Sequence, residues 1–209
     1  MVGKLGKVRQ DIFAFASSLA SEHDLATASL ALGAPSIAGW SEEETKLTRH
    51  CGPPDTAAVA GLRRQIGMRE DPLGEAFGRL RSPEVRRQFG ATYTPAAIVD
   101  AMLGWAKSRG APARIVDPGV GSGRFLVAAG RQFPKAELVG IEVDPLAALM
   151  ARAHLAAAGF AERSEVRLQD YRSVTLAPAQ GKNTISRKPA LCPAPSCRRK
   201  VEEMAVHEG

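Results

Sequence analysis

The stretch Arg114-Ile115-Val116-Asp117-Pro118-Gly119-Val120-Gly121-Ser122-Gly123-Arg124-Phe125 constrains this chain more than any other. An apolar run ends in an acid, glycines alternate through a turn, and a helical pattern opens at Arg124. Strand, tight turn and helix in that order begin a parallel α/β unit, and glycine lets the backbone turn sharply and approach a ligand that a Cβ would exclude. Two other glycine loops do not fit. A dinucleotide fingerprint sets its glycines first, third and sixth with no leading acid, and a Walker loop needs Gly-Lys-Ser/Thr. A βα connection without any ligand is the plain structural alternative.

The pattern repeats downstream. Apolar runs at Ala113–Val116, Leu138–Ile141 and Val166–Leu168 alternate with helical segments at Arg124–Gln132 and Leu146–Ala158. Strand, helix, strand, helix, strand predicts an α/β fold with a doubly wound parallel sheet. Each expected strand ends in an acid. Glu142 follows Asp117 by 25 positions, a placement from which a carboxylate can accept both hydroxyls of a ribose. Asp170 can accept the exocyclic amine of an adenine, with Tyr171 beside it to cover the ring. The pair Asp170-Tyr171 on its own is no more than the start of a loop. Asp144, just before Pro145, reads as a helix N-cap.

The remainder divides in two. Residues 1–70 are alanine-rich and helical in character, with Gly-Pro punctuation at 33–35 and 52–54, a capping box at Ser41 and Glu44 and a further cap at Asp55. No motif gives this region a role. Asp71-Pro72 and Ser82-Pro83 each look like an N-cap with proline at the first helical position. Residues 183–209 break the pattern, with Pro, Cys, Arg and Lys clustered in Arg187–Lys200 without alternation or helical period. The net charge of +6 hints at an anionic partner but is equally the charge of a solvated surface. No run is apolar over a spanning length, the N-terminus does not read as a signal peptide, and three cysteines suit a reducing cytoplasm. Cys192 and Cys197 form a C-x4-C pair, two ligands where structural zinc needs four, so no metal site is expected.

Taken together, these residues resemble the amino DNA methyltransferases of the restriction-modification type, in the order where the cofactor half precedes the catalytic half. The similarity covers residues 71–176. Tyr93-Thr94-Pro95 before an amphipathic helix is similar to that family's cofactor-flanking motif, and Asp117-Pro118-x-x-Gly121-Ser122-Gly123 to its main loop. The resemblance implies a Rossmann-like methyltransferase fold, S-adenosylmethionine as cofactor and double-stranded DNA as partner, with methyl transfer to adenine N6. It implies that Tyr93, Thr94 and Pro95 flank the cofactor, Thr94 near its methionine carboxylate. Asp117 would hold the methionine ammonium, with Pro118, Gly119 and Gly121 shaping the loop. Glu142 would bind the ribose and Asp170 the adenine amine, beside Tyr171. Thr94-Pro95 is also a plain helix start, threonine as cap and proline in the first turn.

The chain departs from the family at its catalytic motif. Asn/Asp-Pro-Pro-Tyr/Phe accepts the target amine and stacks the flipped base, and no such tetrapeptide occurs here; the sole Pro-Pro is Pro53-Pro54. The expected division is thus a helical region 1–70, the first half of a cofactor-binding domain at 71–182 and an irregular, poorly ordered tail at 183–209. The fourth strand of the sheet is expected to be absent. The tail is expected to be a frameshifted reading of the missing catalytic strand. Arg187 to Pro195 can be encoded as CGG AAA CCC GCC CTA TGT CCG GCA CCA, with third bases freely chosen. Read one nucleotide later, with Ser196 supplying the next T, this gives Gly-Asn-Pro-Pro-Tyr-Val-Arg-His-His. A protein-glutamine methyltransferase, whose tetrapeptide is similar, and a non-catalytic cofactor-binding or subunit-interaction fragment are the alternative functions.

Overall fold

A computed structural model describes residues 19–82, 84, 94–176 and 184–186, the last three by their backbone only. Among the described residues, four parallel strands form one sheet in the order β3-β2-β1-β4. They are β1 (Arg114–Asp117), β2 (Glu137–Glu142), β3 (Ser164–Leu168) and β4 (Thr184–Ser186). In register, Ile115 faces Leu138, and Leu138 faces Ser164. The three expected strands and two expected helices are all present, with ends within two residues of those read from the pattern, the usual uncertainty of element boundaries.

The helices are α1 (Glu22–Leu32), α2 (Glu42–Thr48), α3 (Thr56–Gly67), α4 (Pro72–Leu80), α5 (Ala96–Ser108), α6 (Arg124–Gln132) and α7 (Pro145–Ala157). Their starts follow the local chemistry. Ser41 and Glu44 close the reciprocal capping box, while Asp55, Asp71 and Asp144 accept the first free amides of α3, α4 and α7. Helix α5 departs from expectation: Pro95 itself is the cap, its carbonyl accepting from Ile98 at 3.0 Å and Val99 at 3.1 Å, so Thr94 lies one residue outside.

One face of the sheet is covered by α5, α6 and α7. Val99 and Leu103, Phe125 and Leu126, and Ala148 and Leu155 pack there with Ile115, Leu138 and Val166 of the strands. Helix α7 is the pivot of the architecture. Every residue from Leu146 to Leu155 is buried, because the helix is sandwiched between the sheet layer and a further layer made of α1, α3 and α4. Leu25, Leu32, Leu62, Ile66, Leu73 and Phe77 form that second core against Leu146, Leu149 and Met150. A helix apolar all round must be enclosed on both sides, so packing runs without a break across residue 70. Among the described residues, no helix is long and apolar enough to cross a membrane.

Burying α7 on all sides also buries Arg152, which is 0% exposed. Its guanidinium donates to Glu44, itself 0% exposed, at 2.5 Å, to the carbonyls of Ile37 at 2.9 Å and Ala38 at 2.8 Å, and to that of Val166 at 2.6 Å. The Val166 amide in turn donates to the Ala38 carbonyl at 3.0 Å, so the segment after α1 covers the outer edge of β3. An otherwise open strand edge is closed by the N-terminal layer.

The expectation of a missing fourth strand is corrected. Thr184–Ser186 forms β4 and pairs with β1, Thr184 opposite Arg114 and Ser186 opposite Val116. Sheet periodicity cannot register three residues in sequence. The exposed edge of β1 supplies the missing drive, since its amides and carbonyls require partners, and Thr184 and Ile185 are β-branched residues suited to a strand. The tail expected at 183–209 therefore begins with a sheet strand. Residues 187–209, with Cys192 and Cys197, lie outside the described residues, as does Pro83.

Removing one partner of the Arg152–Glu44 pair strands the other in the core. Arg152→Met and Glu44→Gln are each expected to lower unfolding free energy by about 3–5 kcal/mol. The double variant should cost less than the sum, because the two share one interaction. Urea unfolding of the set checks this.

Candidate functional site

Parallel strands present their carboxyl ends on one side, and the loops there are the usual place for a ligand in an open α/β sheet. Asp117 closes β1 and is 1% exposed, and Glu142 closes β2 and is 8% exposed. Asp170 follows β3 by two residues, and the connection is held in place by the Gln169 amide donating to the Glu142 carbonyl at 2.7 Å. Three strand ends thus bring the three predicted acids to one edge.

The glycine turn is fastened to β2 at two points. The Val120 amide donates to the Ile141 carbonyl at 3.0 Å, and the Gly121 amide donates to Glu142 Oε2 at 2.8 Å. Gly121 has φ +53 and Gly123 φ +89, left-handed values that favour glycine. The two serve different purposes. A Cβ on Gly123 would lie 3.0 Å from the Cα of Ala151, so this glycine lets α6 seat against α7. A Cβ on Gly121 or Gly119 would meet nothing within 4 Å. The outer side of the turn is therefore bare backbone beside open space, as a cradle for a ligand requires.

Glu142 is the electrostatic centre of this edge. Its Oε1 accepts from the amides of Val143 at 2.9 Å and Asp144 at 3.2 Å, in addition to the Gly121 bond on Oε2. A carboxylate has about four acceptor positions. Three are occupied by amides, which leaves one for a hydroxyl; accepting a second hydroxyl requires one amide to let go. Burial nevertheless pushes the Glu142 carboxyl above the usual carboxylate range, against the pull of those three amides, and the nearby Asp144 charge adds to the rise.

The remaining predicted residues are less uniform. Asp170 is paired with Arg172, whose Nε lies 3.0 Å from Oδ1 and 2.9 Å from Oδ2, and the backbone amide of Arg172 also donates to Oδ1 at 3.0 Å. This side-chain bond holds the Asp170 carboxyl below the ordinary range. Tyr171 packs against Val116, Val139 and Ile141 on the second face of the sheet, so its ring is engaged as a cover for that face. Thr94 and Pro95 lead into α5, whose Val99 and Leu103 share a core with Phe125 at the start of α6. Tyr93 lies outside the described residues.

Pattern reading passed over Val143, a β-branched residue 46% exposed between Glu142 and Asp144. An apolar side chain left bare beside a buried acid is the only signal it gave, and exposure is not visible in sequence. A cavity of about 330 Å³ lies elsewhere, lined by Arg114, Glu137, Glu165 and Arg167. Four of its charges are matched, Arg114 with Glu137 at 2.8 Å and Arg167 with Glu165 at 2.8 Å, and the Arg163 guanidinium donates to the carbonyls of Ala136 and Gly130.

The raised Glu142 carboxyl has a testable sign. Its contribution to stability is complete below the ordinary glutamate range, where folded and unfolded chains are both protonated. It is lost as pH rises through the folded value, because the unfolded chain releases the proton first. The stability of the ligand-free protein relative to Glu142→Gln is thus expected to fall as pH rises from about 4 through and beyond the ordinary glutamate range. Urea titrations of both proteins across that range measure it, and a flat or rising difference would contradict the buried-acid assignment.

Known proteins bear on this edge. No protein-family model matches the chain. The chain is 52% identical over 122 residues to the type II methyltransferase M.XamI of Xanthomonas campestris pv. amaranthicola, across 58% of this chain and 21% of that protein. It is 32% identical over 98 residues to a tRNA1(Val) (adenine(37)-N6)-methyltransferase of Yersinia pestis, across 46% of this chain and 40% of that one. The chain thus spans between a fifth and two fifths of these curated relatives. A class I S-adenosylmethionine-dependent methyltransferase from Listeria monocytogenes, described as putative, superposes with a TM-score of 0.55 at 16% identity. That superposition covers 97% of this chain and 65% of the other. The chain therefore has the Rossmann-like fold of the class I methyltransferases and, over the matched 122 residues, is similar in sequence to a type II methyltransferase.

Proposed function

We propose that this chain is the cofactor-binding portion of a cytoplasmic, site-specific DNA methyltransferase that modifies adenine N6, with S-adenosylmethionine held at the carboxyl edge of the sheet. The observation that carries the reading is the junction of the glycine turn with Glu142. Open backbone at Gly119 and Gly121 adjoins a buried carboxylate with an acceptor position to spare. These groups fit a nucleoside bearing a charged amino-acid arm. Glu142 would accept a ribose hydroxyl, the Asp117 carboxylate would hold the ammonium, and the bare turn would admit the arm. Val143 offers an apolar surface for the purine, and Asp170 would accept the purine amine once its contact with Arg172 is shared or exchanged. When bound, S-adenosylmethionine supplies a methyl group activated on a sulfonium.

DNA as substrate rests on the relationship to M.XamI and on the Thr94-Pro95 and Asp117-Pro118 pairings. The tRNA-modifying relative is named for adenine N6 chemistry and has lower identity. This polypeptide contains no Asn-Pro-Pro-Tyr to accept the target amine. Strand β4 ends at Ser186, so Arg187, where the shifted frame begins Gly-Asn-Pro-Pro-Tyr, follows directly at the carboxyl end of a strand. That position supports a frame shift in the coding sequence.

Calorimetric titration is expected to show S-adenosylmethionine binding to the 209-residue chain. Glu142→Ala should weaken it at least about tenfold through loss of a charged acceptor. Unchanged affinity would remove Glu142 from the site. Tritiated methyl transfer to DNA should be absent in this chain and appear on restoring the alternative frame within the full gene. Incorporation by the chain as it stands would contradict the need for the tetrapeptide.

A further inference from the structure

Asp71 lies far from the glycine turn in sequence, at the start of α4, yet its side chain is only 3% exposed and reaches the underside of that turn. The Ser122 hydroxyl donates to Asp71 Oδ2 at 2.6 Å, the length of a charge-assisted O–H···O⁻ bond. Arg124 Nε, at the first turn of α6, lies 3.3 Å from the same oxygen. On the other side of Ser122, the His154 Nδ1–H donates to the Ser122 carbonyl at 2.8 Å, and His154 Nε2 stands 3.5 Å from Asp71 Oδ1. Ser122 itself is 2% exposed. The residue between Gly121 and Gly123 is thus gripped by its hydroxyl and by its carbonyl, while its two neighbours are the most permissive residues the backbone can have.

A glycine-rich turn needs such an anchor. Glycine supplies the left-handed conformations but gives up more backbone freedom on folding than any other residue, so an unanchored turn samples many shapes, of which few match a ligand. A ligand meeting a disordered turn must supply that ordering from its own binding free energy.

We propose that Asp71 is a positioning residue that holds the glycine turn in its ligand-accepting shape through Ser122 and Arg124, so that the N-terminal layer sets cofactor affinity. The link to affinity rests on the cofactor reading above; the link to the turn's rigidity does not. Asp71 also caps α4, accepting from the Gly74 amide at 2.9 Å on Oδ1, and this second duty permits a clean separation. Asp71→Asn keeps an oxygen for the cap but sets an amide where the Ser122 hydroxyl and Arg124 approach. Ser122→Ala removes the hydroxyl and leaves the cap intact. Gly74→Ala is a third probe. A Cβ there would lie 2.5 Å from Asp71 Oδ2, so a change that ordinarily favours a helix should here push the carboxylate off the turn. Asp55→Ala, which removes the cap of α3 remote from the turn, controls for simple loss of a cap.

Hydrogen exchange of the ligand-free 209-residue chain reads the anchor directly. Amides of the turn from Gly119 to Gly123 are expected to exchange about tenfold faster in Asp71→Asn, Ser122→Ala and Gly74→Ala. Asp55→Ala should leave them unchanged. Titration with S-adenosylmethionine should show affinity falling about tenfold in the same three variants and not in the control. Unaltered turn exchange in Asp71→Asn and Ser122→Ala overturns the assignment. Should Asp71→Asn fail to fold, Ser122→Ala and Gly74→Ala carry the decision. A wild-type chain that binds no S-adenosylmethionine, yet whose turn loosens in the variants, overturns the cofactor reading and upholds the anchor.

Discussion

Helix α7 has no solvent-facing side from Leu146 to Leu155, and the rest of the molecule is arranged around that fact. A helix with apolar residues on every face must be covered twice. The sheet with α5 and α6 provides one cover; α1, α3 and α4 provide the other. Its many alanines permit close approach on both sides. Its largest polar exception, Arg152, is accommodated because its donors meet Glu44 and backbone carbonyls from two separate stretches of chain. Desolvating a guanidinium without those acceptors would be costly. The N-terminal layer is consequently part of the same folding unit as the sheet.

The position of α7 also decides the state of the ligand edge. Its cap, Asp144, lies one residue beyond Val143 and is contacted by Arg81 from the N-terminal layer; Arg81 also pairs with Glu22 at 2.7 Å. Its His154 reaches the Ser122 carbonyl. Gly123 seats against Ala151. One helix therefore touches the glycine turn from beneath, the acid-bearing end of β2 from the side and the N-terminal layer from behind. Glu142 is held between these influences. Burial disfavours its charge, three amides favour it, and the spare acceptor position is what a hydroxyl-bearing ligand would exploit.

Much of this was legible from residue order alone. Asp117, the glycine turn and the start of α6 declare themselves because strand, turn and helix are neighbours in sequence, and each is encoded by local preference. Glu142 followed from the same logic one unit on. The caps at Ser41, Asp55, Asp71 and Asp144 were readable because a cap acts within three residues of itself. What escaped notice has the opposite character. β4 is too short to carry a period and forms because β1 has an edge to fill. Asp170 looked like a bare acceptor until Arg172 folded back on it, and Tyr171 looked like a ring awaiting a base until the second sheet face claimed it.

Sequence by itself thus determined the α/β alternation, the order of the acids along one edge and the backbone freedom of the turn, all of which rest on interactions within a few residues. Tertiary structure alone decided which acids are buried, which are already paired and what stiffens the turn. Asp71 shows the distinction most plainly. In sequence it is a helix cap and nothing more. In the fold it stands 2.6 Å from the hydroxyl of Ser122, which lies 51 residues away along the chain. No local preference encodes that meeting, because it depends on where the packing of α1, α3 and α4 against α7 sets the start of α4.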